Sequence, residues 1–97
     1  MLKKIEEICK RCSPSLPKNV IQTASKIYQR AEDRNILKGK RTLEILTAVI
    51  YMACKQCDVI RSLEEILRHN RKAKETSKEL KLISRYYRLL VMELGSS

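Results

Sequence analysis

Two cysteine pairs, Cys9-x-x-Cys12 and Cys54-x-x-Cys57, are the first residues in this chain whose type and spacing could do chemistry. Four thiolates so paired could close a tetrahedral zinc site. Structural knuckles of that kind sit on turns and close together, whereas 41 residues separate Cys12 from Cys54. Cys9 falls on an apolar stripe and Cys54 inside an apolar segment, so small buried hydrophobes describe them better than ligands. A zinc-stapled domain is the minor alternative, and no metal or other cofactor is expected. His69, the only histidine, stands beside Asn70 at an expected helix end, with no cysteine placed to use it as a base. Glu6, Glu7, Glu64 and Glu65 fall on charged helix faces. Catalysis needs a base and a group that orients it; neither is visible, and the chain is expected not to be an enzyme.

Charge is the stronger lead. The chain carries 21 Lys and Arg against 11 Asp and Glu, a net charge of +10. Local ion pairing cannot match such an excess on a small domain, so an anionic partner is expected. A soluble basic protein with no such partner is the alternative. Tyr86 and Tyr87 suit packing and rim positions better than a base-stacking platform, which needs aromatics spread over one surface.

The elements that must position these residues are helical. Two glycines, two prolines and no Phe or Trp in 97 residues leave too little turn punctuation and too few aromatics for a sheet. One domain over residues 1–97 fits this length and should bury roughly 60–65% of its unfolded surface. No apolar run approaches the ~18 residues needed to cross a bilayer. The start, Met1-Leu2-Lys3-Lys4-Ile5-Glu6-Glu7, is too charged for a signal peptide. An intracellular setting with reduced thiols is therefore expected.

Leu2, Ile5, Ile8, Cys9 and Cys12 recur at helical spacing and predict a first helix over residues 2 to 12. Ser13-Pro14-Ser15-Leu16-Pro17 breaks it. Pro17 fits the first turn of a second helix whose face is Val20, Ile21, Ala24, Ile27, Tyr28 and Ala31, and Asn35 to Gly39 ends it. From Thr42 to Gln56 the chain is apolar almost all round, which predicts a third helix surrounded by others. Ser62 with Glu65 forms a capping box that opens a short fourth helix, Leu63 to His69. Asn70 to Lys74 reads as an exposed loop. Thr76 with Glu79 is a second capping box, opening a last helix with the stripe Leu80, Ile83, Tyr87, Leu90, Val91 and Leu94.

Five segments then occur in a telling order: Leu16-Pro17-Lys18-Asn19-Val20, Leu37-Lys38-Gly39-Lys40, Ala48 to Gln56, Val59-Ile60-Arg61-Ser62-Leu63-Glu64-Glu65-Ile66 and Ile83-Ser84-Arg85-Tyr86-Tyr87-Arg88. Together they resemble one cyclin-type repeat of the transcription factor IIB family, over nearly the whole chain. The resemblance implies an all-α, five-helix cyclin-like box with a buried third helix. It implies a transcription-initiation module that binds TATA-binding protein and promoter DNA, mainly along the phosphate backbone, and helps recruit RNA polymerase. No membrane partner is implied.

The resemblance also marks the residues. Lys38, Lys40, Lys55, Arg85 and Arg88 match positions the family uses to meet TATA-binding protein and DNA. Arg61 matches an arginine that precedes the fourth helix, and Arg41 and Lys81 join the set as basic neighbours. Cys54 matches a family cysteine that packs in the core. Cations suit such a site because phosphate contacts are charge-assisted and release counterions. Lys38-Gly39-Lys40 and Cys54-Lys55-Gln56 look like the family's first repeat, whereas Ile50-Tyr51-Met52-Ala53 and Tyr87-Arg88-Leu89-Leu90 would suit the second; the first is favoured. The connection from Asn70 to Ser77 is longer than the family pattern, which weakens base-specific reading by a helix-turn-helix-like pair. A factor of this family continues on both sides of such a repeat, with a zinc ribbon before it and a second repeat after it. It works in the nucleus of a eukaryote, or in the cytoplasm and nucleoid of an archaeon. The alternative is a cyclin-type protein-interaction module that does not bind DNA.

Overall fold

The computed structural model describes residues 2–11, 16–39, 42–62, 65–66 and 77–95. Among them are four helices and no strand: α1 Leu2–Arg11, α2 Lys18–Asp33, α3 Thr42–Gln56 and α4 Ser77–Leu94. The expected all-α class is therefore met. Of the helix expected over Leu63 to His69, Glu65 and Ile66 are described and helical. Its start has the hydroxyl half of the expected capping box: the Glu65 N–H donates to Ser62 Oγ at 3.0 Å and the Ile66 N–H to the Ser62 carbonyl at 3.1 Å, while the Glu65 carboxylate accepts from Arg61 Nη1 at 2.9 Å. The remainder of that helix lies outside the described residues, as do Cys12, Lys40, Arg41, Glu64, His69, the Asn70 to Lys74 loop and Thr76.

Pro17 stands just before α2 as its N-cap, in extended backbone, and its carbonyl accepts the N–H groups of Val20 and Ile21 at 3.0 and 3.3 Å. α2 and α3 end alike. After α2, Asn35 takes a φ of 63°, its N–H donates to the Glu32 carbonyl at 3.0 Å, and the Ile36 N–H reaches the Ala31 carbonyl at 2.9 Å. After α3, Asp58 takes a φ of 59°, and Val59 N–H reaches back to the Cys54 carbonyl at 2.8 Å. Both are Schellman closures, which satisfy the last carbonyls and turn the chain sharply. Neither uses glycine; Asn and Asp are the L residues that tolerate this backbone best.

The core is organised around α3. Ile45, Leu46, Ala48, Val49, Ile50, Met52, Ala53 and Cys54 are all buried, as the all-round apolar pattern required. α3 packs against α1, α2 and α4. Its β-branched Ile45, Thr47, Val49 and Ile50 are poor helix formers, costing up to about 0.7 kcal/mol each. Burial outweighs that, because one buried Ile or Leu gains about 1.5–3 kcal/mol. α3 is thus a helix made by its surroundings. Ile5, Ile8 and Cys9 from α1, Val20, Ala24, Ile27, Tyr28 and Ala31 from α2, and Ile83, Leu90 and Leu94 from α4 complete the shell, joined by Ile66. The sequence pattern passed over Glu44, which is buried in the first turn of α3, where the helix dipole favours a carboxylate.

Two side-chain links fix how the helices meet. Arg30 of α2 donates Nη2 to the Leu94 carbonyl at 3.1 Å, bringing a cation to the end of α4, whose own last turn has none. This sets the C-terminal end of α4 where α2 hands over to α3. At the other end of α3, Cys57 Sγ lies 3.4 Å from Thr23 Oγ and 3.8 Å from the Asn19 carbonyl, tying that end to the first turns of α2.

Candidate anion-binding surface

α3 carries Lys55 in its last turn because the helix stops at Gln56, so the side chain leaves the core just as the buried pattern ends. Its Nζ sits 5.3 Å from the centroid of the Tyr51 ring, one turn back on the same helix. The ring is in turn met edge-on by Tyr87 of α4, at 5.0 Å between centroids and 74° between planes. Tyr51, Lys55, Asp58, Val59, Ile60 and Arg61 line an open cleft of about 490 Å³. Arg61 does not project freely into it. Its side chain is 12% exposed, and Nη1 pairs with Glu65 Oε2 at 2.9 Å. Arg61 therefore steadies the start of the helical turn at Glu65, the structural role that its place before that helix allowed.

Lys81, Arg85 and Arg88 follow one another at i, i+4 and i+7 on α4. That spacing puts them on one face over about 10 Å. With Leu80 and Ser84 they line a second open cleft, of about 360 Å³, and all three cations are exposed. Among the described residues no acidic side chain lines this cleft. The edge contact between Tyr51 and Tyr87 joins the cleft at the tip of α3 to the middle of α4.

Lys38 is exposed in the turn between α2 and α3, followed by Gly39 at a φ of 75°. It stands away from Lys55, because α3, about 22 Å long, runs between the two. Of the expected cations, the structure brings Lys55 and Arg61 together in one cleft and Lys81, Arg85 and Arg88 in another. Lys38 stays at the far end, and Lys40 and Arg41 lie outside the described residues.

Of the described cysteines, Cys9 and Cys54 take the packing role expected of them. Cys9 and Cys54 are fully buried in the core, and Cys57 is half-buried on its Thr23 and Asn19 partners. Among the described residues no group of three or more His, Cys, Asp or Glu is placed to hold a metal ion. Tyr28, on the buried face of α2, has its phenol pushed above the usual range by burial and by the Glu32 carboxylate. What the sequence pattern missed on the surface is Ile60, 96% exposed beside Lys55 and Arg61, and the aromatic support under Lys55. The Tyr51 to Lys55 spacing of four could have revealed the second.

The described residues form an all-α domain with a buried central helix and cations on its outer edges. Its sequence assigns it further. The sequence model described as "Transcription factor TFIIB repeat" matches residues 2–85. The chain belongs to the transcription factor TFIIB repeat family, which is not a family of enzymes. It is similar to the transcription initiation factor IIB of Methanoregula boonei, 39% identical over 80 residues that make up 82% of this chain and 22% of the relative. It is 38% identical to that of Archaeoglobus fulgidus over 82% of this chain and 23% of the relative. It is 35% identical to that of Saccharolobus shibatae over 86% of this chain and 25% of the relative. The chain thus spans a quarter or less of the length of these relatives. No solved structure matches it. Lys38, Lys40, Arg41, Lys55, Arg61, Lys81 and Arg85 lie within the matched stretch and Arg88 just beyond it.

Proposed function

We propose that this chain is a module of transcription initiation that joins TATA-binding protein, promoter DNA and RNA polymerase. One observation carries this: the family match over residues 2–85 includes exposed Lys38, Lys55, Lys81 and Arg85 on a chain of net charge +10. In this reading residues 1–97 form a single five-helix cyclin-like box, and the cap geometry at Ser62 and Glu65 supports a helix starting there. Lys38-Gly39-Lys40 and Cys54-Lys55-Gln56 favour the first of the family's repeats. The α4 cations meet phosphate, Lys55 offers a further contact from the tip of α3, and Lys38 is a separate outpost before α3. The relatives named above are archaeal, which favours the nucleoid as its place of work. No helix among the described residues is long and apolar enough to cross a membrane.

A protein-only interaction module is the second reading. Asp58 and exposed Ile60 beside Lys55 favour it, because phosphate has no use for either. A gel shift on promoter DNA, with and without TATA-binding protein, separates the two. A slower band that needs both proteins supports the initiation module. No ternary band at low salt supports the second reading and rejects the first.

A further inference from the structure

Lysine is a poor recognition element when nothing holds it. Its four-carbon stem is mobile, and fixing its ammonium against an anion costs the freedom of every rotor. Lys55 is exposed, yet its Nζ rests 5.3 Å from the centroid of Tyr51, one helical turn behind it. A ring that is free to rotate would be a poor perch. Tyr51 is half-buried on a helix whose neighbouring residues are in the core, and Tyr87 meets its ring at 5.0 Å and 74°, the edge-to-face geometry that aromatic pairs favour. The chain Lys55, Tyr51, Tyr87 therefore crosses from the tip of α3 to the middle of α4.

We propose that Tyr51 is a positioning residue of the basic surface: held by Tyr87, its ring keeps the Lys55 ammonium in place for an anionic partner. The proposal rests on the reading of these cations as a partner surface. Tyr51 touches no partner in this scheme and acts through Lys55. The ring contributes through its negative face, which phenylalanine retains and leucine lacks.

Reductive methylation with ¹³C-formaldehyde keeps lysine charged and gives each dimethylammonium its own NMR signal. The Lys55 signal, assigned with Lys55→Arg, should be shifted upfield by the ring current in the wild type and in Tyr51→Phe. In Tyr51→Leu it should fall at the position of free surface lysines. The unmodified chain should bind the complex of TATA-binding protein and promoter DNA about two- to five-fold more weakly as Tyr51→Leu, and unchanged as Tyr51→Phe. In a Lys55→Gln background, Tyr51→Leu should cost nothing further. An unshifted Lys55 signal in the wild type overturns the proposal without using any variant. An equal loss in the Lys55→Gln background overturns it too, by showing that Tyr51 only packs. Tyr51→Met repeats the test should the leucine variant melt early. Unchanged binding by Lys55→Gln, even with the ring-current shift present, would instead refute the partner surface itself, and the role of Tyr51 with it.

Discussion

In the cleft at the tip of α3 the charges are already occupied. Lys55 lies over Tyr51, Arg61 is paired with Glu65, and Asp58 and exposed Ile60 stand between them. On α4, by contrast, Lys81, Arg85 and Arg88 rise from one face with no acidic residue lining their cleft among the described residues. The first surface is nearly neutral, shaped and partly apolar, the kind that recognises a protein. The second is a strip of like charge, the kind that tracks phosphates. A net charge of +10 hides this difference. It is where cations sit, and what already holds them, that separates a contact from a structural pair.

Neutralising the α4 strip tests the contrast hardest. With Lys81, Arg85 and Arg88 all changed to Gln, the log–log salt slope of DNA binding should flatten by about three, at about 0.9 per phosphate contact. The fold should survive, because all three side chains are exposed. Circular dichroism and salt titrations read both. Lys55→Gln should flatten the slope by about one at most, and by nothing if the α3 tip meets only protein. Arg61→Gln should leave the slope alone and instead lower stability by about 1 kcal/mol in urea, since it strands Glu65 and opens a half-buried pair. The same change at Lys10, whose pair with Glu6 is exposed on both sides, should cost no more than about 0.5 kcal/mol. Smallest of all, Asp58→Gly should raise stability by about 0.5 kcal/mol, because glycine accepts the φ of 59° and removes a negative charge from the end of α3. A loss there would mean that Asp58 has a partner in shaping the cleft.

The helices were legible because their signals are local. The apolar run from Ile45 to Cys54 demanded a buried helix, the Ser62 to Glu65 spacing gave a cap that is seen at 3.0 Å, and Asn35 ended α2 as expected. The surface was legible only as a set of charges. Lys38 and Lys55 belong to one set in the family pattern and stand at opposite ends of α3. Tyr51 with Tyr87, Arg30 with Leu94, and Cys57 with Thr23 and Asn19 join residues 34 or more apart, and such meetings depend on how the helices cross. No spacing rule carries that information. The pair Arg61 and Glu65 and the pair Tyr51 and Lys55 are different, since a separation of four on a helix was there to be read.

The central claim is that this chain meets promoter DNA through exposed cations while it engages TATA-binding protein. Its most direct test is the salt dependence of wild-type binding to a preformed complex of TATA-binding protein and promoter DNA, followed by fluorescence anisotropy. The α4 strip alone requires a log–log slope of about −3, and six phosphate contacts would steepen it to about −5. A slope near zero, or affinity that does not depend on DNA being present, would contradict the claim.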